Sequence, residues 1–184
     1  MTDWRIVVMG VSGCGKSSVG QALAEALGAR FIDGDDLHPE ANKAKMAAGI
    51  PLNDEDRWPW LAEVSAALAE SNTVVACSAL KRSYRDRIVG GAPGTRFVHL
   101  HGTRELLAER MGARPNHFMP VSLLDSQLNT LELLGVDEPG KKYDIALPID
   151  ELVAAAVAGL AIRGWPLRVL ALLVALASAA AGYL

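Results

Sequence analysis

Near the amino terminus Gly10, Val11, Ser12, Gly13, Cys14, Gly15, Lys16 and Ser17 carry the spacing G-x4-G-K-S, and residue types in that order hold phosphate. Glycines let successive backbone N–H groups turn inward, and the helix that starts there adds partial positive charge. Lys16 reaches the β- and γ-phosphates of a nucleotide. Ser17 offers a hydroxyl where a Mg²⁺ ligand is needed, and Ser18 completes the ATP-binding set. The strand-like run RIVVM at 5–9 precedes the loop and a helical-period segment over 15–27 follows it, ending near Gly28. That is the context the motif requires. The loop predicts ATP and Mg²⁺ but is silent on what receives the phosphoryl group.

The acceptor side has its own chemistry. A second strand-like run, RFID at 30–33, leads into Asp33-Gly34-Asp35-Asp36-Leu37-His38. Strand alternation points Asp33 and Asp35 the same way, off the carboxyl edge of the sheet, where open α/β folds bind ligands. Two carboxylates beside a phosphate cradle suit Mg²⁺–water coordination by one and activation of an acceptor hydroxyl by the other. Asp36 reads as a turn or capping aspartate. His38 reads either as an acceptor contact or as the neighbour of the helix begun by Pro39. Farther on, LNDEDRWPW at 52–60 wedges Arg57 between acids and two tryptophans, ahead of a proline-initiated helix. A guanidinium held in one direction suits recognition of a carboxylate. The run TVVAC at 73–77 then delivers Lys81 and Arg85, four residues apart on one helix face, so that both look into the same crevice. Arg82 and Arg87 read as helix surface. Several cations converging there argue for an anionic acceptor as well as ATP. Arg110 and Arg114 belong to a stretch at 110–120 broken by Gly, Pro and Asn, either a lid that closes over the phosphates and excludes water or an ordinary helix–helix connection.

The scaffold behind these residues follows from apolar periodicity. Strands are expected at 5–9, 30–33, 73–77 and 96–100, with a weaker one at 143–147. Helices are expected at 15–27, 60–70, 81–88, 104–111 and 123–134, the last capped by Ser122 with Asp125 and stopped by Gly135. Alternating strands and helices predict an α/β fold with a parallel sheet covered on both faces. A chain of 184 residues is one domain. A net charge of −3 with 21% charged residues gives no basic field, which excludes a nucleic-acid partner. Its two cysteines, Cys14 and Cys77, stand outside any metal-binding spacing and behind no signal peptide, and read as free thiols of a cytoplasmic protein.

Taken together, MGVSGCGKSSV, FIDGDDLHPEANKAKMAAGIPLNDEDRWPWL, CSALKRSYRD and ARPNHFMPVSLLDSQLNTLE resemble the bacterial-type gluconokinases of the shikimate-kinase-like P-loop group. The second and third segments discriminate far better than the loop itself. The resemblance implies a P-loop NTPase fold with a five-stranded parallel sheet flanked by helices, a lid and a small substrate-binding helical region. It implies ATP-dependent phosphorylation of D-gluconate at its 6-hydroxyl, and a homodimer. By the same resemblance Asp35 contacts and orients the acceptor hydroxyl, Asp33 lies near Mg²⁺, and Arg57, Lys81 and Arg85 hold gluconate. Arg110 flanks adenine and Arg114 the phosphates. The rival readings are a related small-molecule kinase, acting on shikimate or a nucleotide, and a nucleotide-gated switch protein. The switch has no need of the Asp35, Arg57 and Lys81 constellation.

The kinase-like domain spans 1–163, and a hydrophobic tail departs from the family pattern at 164–184. Its last 16 residues, VLALLVALASAAAGYL, carry no charge. As a helix they reach about 24 Å, short of the ~30 Å of a bilayer core. Arg163 and Arg168 precede them and Tyr183 closes them, as at a membrane interface. A membrane anchor, a helix packed on the body or across a dimer interface, and a poorly ordered extension are the three readings of this tail.

Overall fold

A computed structural model describes residues 3–48, 50–113 and 121–161. Its strands are β1 (Arg5–Met9), β2 (Arg30–Asp33), β3 (Thr73–Ala76), β4 (Arg96–His101) and β5 (Gly140–Asp144). All pair in parallel, in the spatial order β2-β3-β1-β4-β5. The helices are α1 (Lys16–Leu27), α2 (Glu40–Ala47), α3 (Asp54–Ala69), α4 (Arg82–Gly91), α5 (Arg104–Gly112), α6 (Val121–Thr130) and α7 (Ile149–Ala161).

Strand alternation divides the core in two. Ile6 and Val8 of β1, Val74 of β3 and Val98 and Leu100 of β4 pack with α1 and α7 on one face. Val7, Met9, Val75 and Phe97 pack with α3 and α4 on the other. A central parallel strand is therefore apolar on both sides, which is why RIVVM reads as one unbroken run. From β1 the chain crosses to β2, and from β3 it crosses to β4 on the opposite side of β1. The carboxyl ends of β1 and β3 thus flank the crevice where the strand order reverses, the ligand position of such sheets. Gly10 N–H donates to Ser78 O across it at 3.3 Å.

Some expected boundaries shift. The fifth strand begins at Gly140 rather than at 143, because pairing runs from Phe97↔Gly140 to His101↔Asp144. Ile145 is left to turn into the core. The helix after Asn53 starts at Asp54, six residues before its expected start, through a reciprocal capping box between Asn53 and Asp56. Pro59 sits inside that helix rather than initiating it. The helix expected to run to 134 ends at Thr130, where Glu132 N–H is captured by Leu80 O at 2.9 Å.

Candidate active site

The phosphate loop leaves β1 through Gly10 at φ +143°, where a side chain would also stand 2.5 Å from Leu100 O, so neither the conformation nor the space admits another residue. Gly15 caps α1 in the left-handed region, turning the helix amides toward the crevice. Lys16 Nζ donates to Val11 O at 3.0 Å and so lies back over the loop. Ser17 Oγ donates to Asp33 Oδ2 at 2.7 Å, and Asp33 Oδ1 accepts from Asp35 N–H at 3.1 Å. A hydroxyl and a carboxylate at the mouth of the cradle are hard oxygen donors of the kind Mg²⁺ takes, so these residues fit the ion.

Asp33 and Asp35 are brought together differently from the strand alternation expected. The chain after Asp33 winds into a 3₁₀ turn, Gly34–Leu37, capped by the Asp33 side chain. Gly34 makes the turn possible, since a side chain there would collide with Ala76 O. The Asp35 carboxylate is exposed and hydrogen-bonds nothing among the described residues. The thiol of Cys77, just past the end of β3, is buried beneath this edge of the sheet. Burial pushes that thiol up to about 12, making it inert. Cys14 is equally buried, so what the loop offers a phosphate at this position is backbone.

His38 is buried and stacks on Trp60, with ring centroids 4.2 Å apart and planes 13° apart. Trp60 Nε1 donates to Gly34 O at 2.7 Å and fixes the acidic turn to α3. Asn42 Nδ2 donates to Asp56 O at 2.7 Å and lies 3.3 Å from His38 Nδ1. A carbonyl partner identifies that Asn42 atom as the amide nitrogen, so His38 Nδ1 is an acceptor and the neutral ring carries its proton on Nε2. Burial lowers the His38 pKa, and Arg57 and Lys43 add to the effect against Asp35. Trp60 entered the sequence reading only as a flank of Arg57, and Asn42 not at all; its four-residue separation from His38 is the one signal that could have paired them.

Arg57 Nη1 donates to Tyr84 Oη at 3.3 Å, Tyr84 Oη donates to Asp54 Oδ1 at 2.6 Å, and Lys81 Nζ holds both Asp54 oxygens at 2.9 and 2.8 Å. The expected cations Arg57 and Lys81 are thus brought together, through two residues that sequence reasoning had passed over.

Arg85 is a correction. It does not share the crevice with Lys81, which precedes α4 as its extended cap. Arg85 is 1% exposed and faces the core. Its Nε and Nη2 bind Glu138 Oε1 and Oε2 at 2.5 and 2.9 Å, and Nη1 donates to Ala79 O, Leu80 O and Glu132 O at 3.1–3.2 Å. Four of its five N–H donors are so engaged, and the group is buried away from the crevice.

Arg110 Nη2 donates to Ile145 O at 2.7 Å and lines a cavity of about 160 Å³ with Gly13, Gly15, Ser18, Leu147 and Ile149. This pocket opens beside the phosphate loop and presents apolar walls with one flat cation, a surface suited to a planar base. Leu147, from the loop after β5, and Ile149, the first residue of α7, have no recognisable motif. Arg114, with the rest of the expected lid at 114–120, lies outside the described residues, as does the tail at 164–184.

The shikimate kinase family model matches residues 12–134. The chain is 51% identical over 159 residues to a gluconokinase of Gluconobacter oxydans, covering 80% of this chain and 88% of that protein. It is 48% identical over 143 residues to the thermosensitive gluconokinase of Escherichia coli, covering 75% and 76% of the two chains. Among solved structures, a gluconokinase from Sinorhizobium meliloti superposes with a TM-score of 0.81 at 56% identity, over 86% of this chain and 92% of that one.

Proposed function

The chain belongs to the gluconokinase family, within the shikimate-kinase group of P-loop kinases, and from that premise we propose that it transfers the γ-phosphoryl group of ATP to the 6-hydroxyl of D-gluconate. The observation that carries the reading, beside those relatives, is the Arg57–Tyr84–Asp54–Lys81 cluster, a cationic anchor on the acceptor side of a phosphate cradle.

Bound Mg²⁺ supplies charge balance on the phosphates, with Ser17 and Asp33 the residues that would hold it. The loop amides from Gly13 to Ser18 grip the nucleotide phosphates, and Lys16 swings from Val11 O to the transferring group. Arg110 flanks the base, and Arg114 completes the phosphate contacts. Arg57 and Lys81 anchor the substrate carboxylate, which leaves the far hydroxyl in line with the γ-phosphate. Asp35, exposed and unengaged, orients that hydroxyl and accepts its proton. His38 offers Nε2–H to a substrate hydroxyl. Arg85 supports this pocket from behind.

Residues 1–163 form the kinase domain of a cytoplasmic homodimer in this reading, and 164–184 a separate tail. Among the described residues no helix is long and apolar enough to cross a membrane. Cell fractionation with and without residues 165–184 decides between an anchor and a packed helix. The activity is tested by ADP release with gluconate against other sugar acids, shikimate and nucleotides. Gluconate-dependent release is the expected result, and release with shikimate alone overturns the assignment.

A further inference from the structure

The acceptor-side cations are not equally available. Lys81 places two of its three ammonium hydrogens on the Asp54 carboxylate, which offsets its charge. Lys45 is paired with Asp56 at 2.6 Å, Lys43 with Glu40 at 3.0 Å, and Arg82 with Asp137 at 2.8 Å. Arg57 stands apart: its nearest approach to a carboxylate is 3.9 Å, to Asp54, and its hydrogen bond goes to a phenol.

That phenol has a fixed sense. Arginine can only donate, so Tyr84 Oη accepts from Arg57 and must give its own proton to Asp54. The ring cannot turn away. It is 2% exposed, with Trp58 edge-on at 5.7 Å, Arg57 Cζ 5.8 Å from its centroid and Lys81 Nζ 5.4 Å. Arg57 and Lys81 contribute two positive charges and Asp54 one negative, so the anchor carries +1. Hydrogen bonds from Lys81 and Tyr84 hold the Asp54 carboxyl below the usual carboxylate range, so it stays ionised at neutral pH.

We infer that Asp54 is a specificity-determining residue and Tyr84 its positioning partner. Asp54 cancels the charge of Lys81 while Tyr84 aims Arg57, so that the anchor takes a singly charged carboxylate head in preference to a doubly charged phosphate. The inference rests on the gluconate-kinase reading and deepens it. Two uncompensated cations at contact range favour a dianion, each added unit of charge at a half-screened site changing affinity on the order of tenfold. With one cation neutralised, that gain is lost and the greater desolvation cost of the dianion remains. The device has a use, because the proposed product carries a phosphate at the opposite end from its carboxylate. An anchor of charge +2 would hold that product end for end.

The test compares the KM for gluconate with the inhibition constant of D-glucitol 1-phosphate, at saturating ATP, in the wild type and two variants. Glucitol 1-phosphate keeps the linear polyol and its free 6-hydroxyl but carries a phosphate ester on the carbon where gluconate has its carboxylate. Asp54→Asn, which removes charge and little volume, is expected to shift the ratio toward the phosphate by about tenfold. Tyr84→Phe, which leaves the charge count intact, is expected to raise the KM for gluconate severalfold with the ratio near that of wild type. An unchanged KM for ATP shows that each variant is folded, and Asp54→Ser carries the same charge change should Asp54→Asn not fold. A ratio unmoved by loss of the Asp54 charge overturns the inference while leaving gluconate as substrate. Absence of gluconate turnover in the wild type instead overturns the reading beneath it.

Discussion

Arg85→Met tests the assignment of Arg85 to the scaffold. The substitution removes a guanidinium that is 1% exposed and whose partner, Glu138, is 4% exposed. Two donors leave Glu138, which keeps only the N–H of Gly135 at 2.7 Å, and three carbonyls lose a shared donor. Stranding one member of a buried ion pair costs about 3–5 kcal/mol, a large part of the ~5–15 kcal/mol that holds a domain together. Urea unfolding followed by far-UV circular dichroism should show that loss. The double variant Arg85→Met/Glu138→Leu should recover the share due to the stranded carboxylate, but not the share due to the carbonyls. In whatever fraction of Arg85→Met is folded, the KM for gluconate should stay near wild type. The scaffold role is refuted by a variant within about 1 kcal/mol of wild type in stability whose KM for gluconate rises while that for ATP does not.

Three further outcomes follow from the same geometry. His99 is fully buried with both ring nitrogens unpartnered among the described residues, and burial, with His101, Arg85 and Lys142 nearby, lowers its pKa from 6.5 to about 4. The unfolded chain therefore binds an extra proton between those values, and stability present above pH 6.5 is lost as pH falls, by about 2 kcal/mol between pH 7 and pH 5. His99→Leu should flatten that part of the pH dependence in urea titrations and be at least as stable at pH 7; parallel curves for the two proteins contradict it. Lys16→Ala should lower kcat on the order of 10²–10³-fold or more with an unchanged unfolding curve, and a kcat near wild type removes the loop lysine from the mechanism. Arg57→Ala should raise the KM for gluconate about 10–100-fold, the worth of a charged hydrogen bond, with the KM for ATP little changed; the reverse pattern moves Arg57 to the nucleotide side.

Elements whose cause is local can be read directly from the order of residues. The phosphate loop is legible because glycine conformation, a helix amino terminus and a lysine act within eight consecutive residues. β1 and β3 are legible because a strand buried on both faces is apolar nearly throughout, and Gly28 marks the end of α1 because its left-handed conformation is its own property. Arg57 stood out for a similar reason, set among acids and tryptophans that are its neighbours in sequence as well as in space.

Other features depend on partners distant in the chain and emerge only once it is folded. Lys81 and Arg85 are bases four residues apart, and nothing in that spacing shows that one faces the crevice while the other meets Glu138, 53 residues farther on. Asp33 and Asp35 share an edge through a 3₁₀ turn that Gly34 permits against Ala76, not through the alternation their spacing suggests. The start of β5 was set by its register against β4, and the end of α6 by a hydrogen bond to Leu80. In each case the chain was locally free to do otherwise. The choice was made by the cost of burying an unpaired charge or an unbonded amide, and that cost exists only once the distant partner is in place.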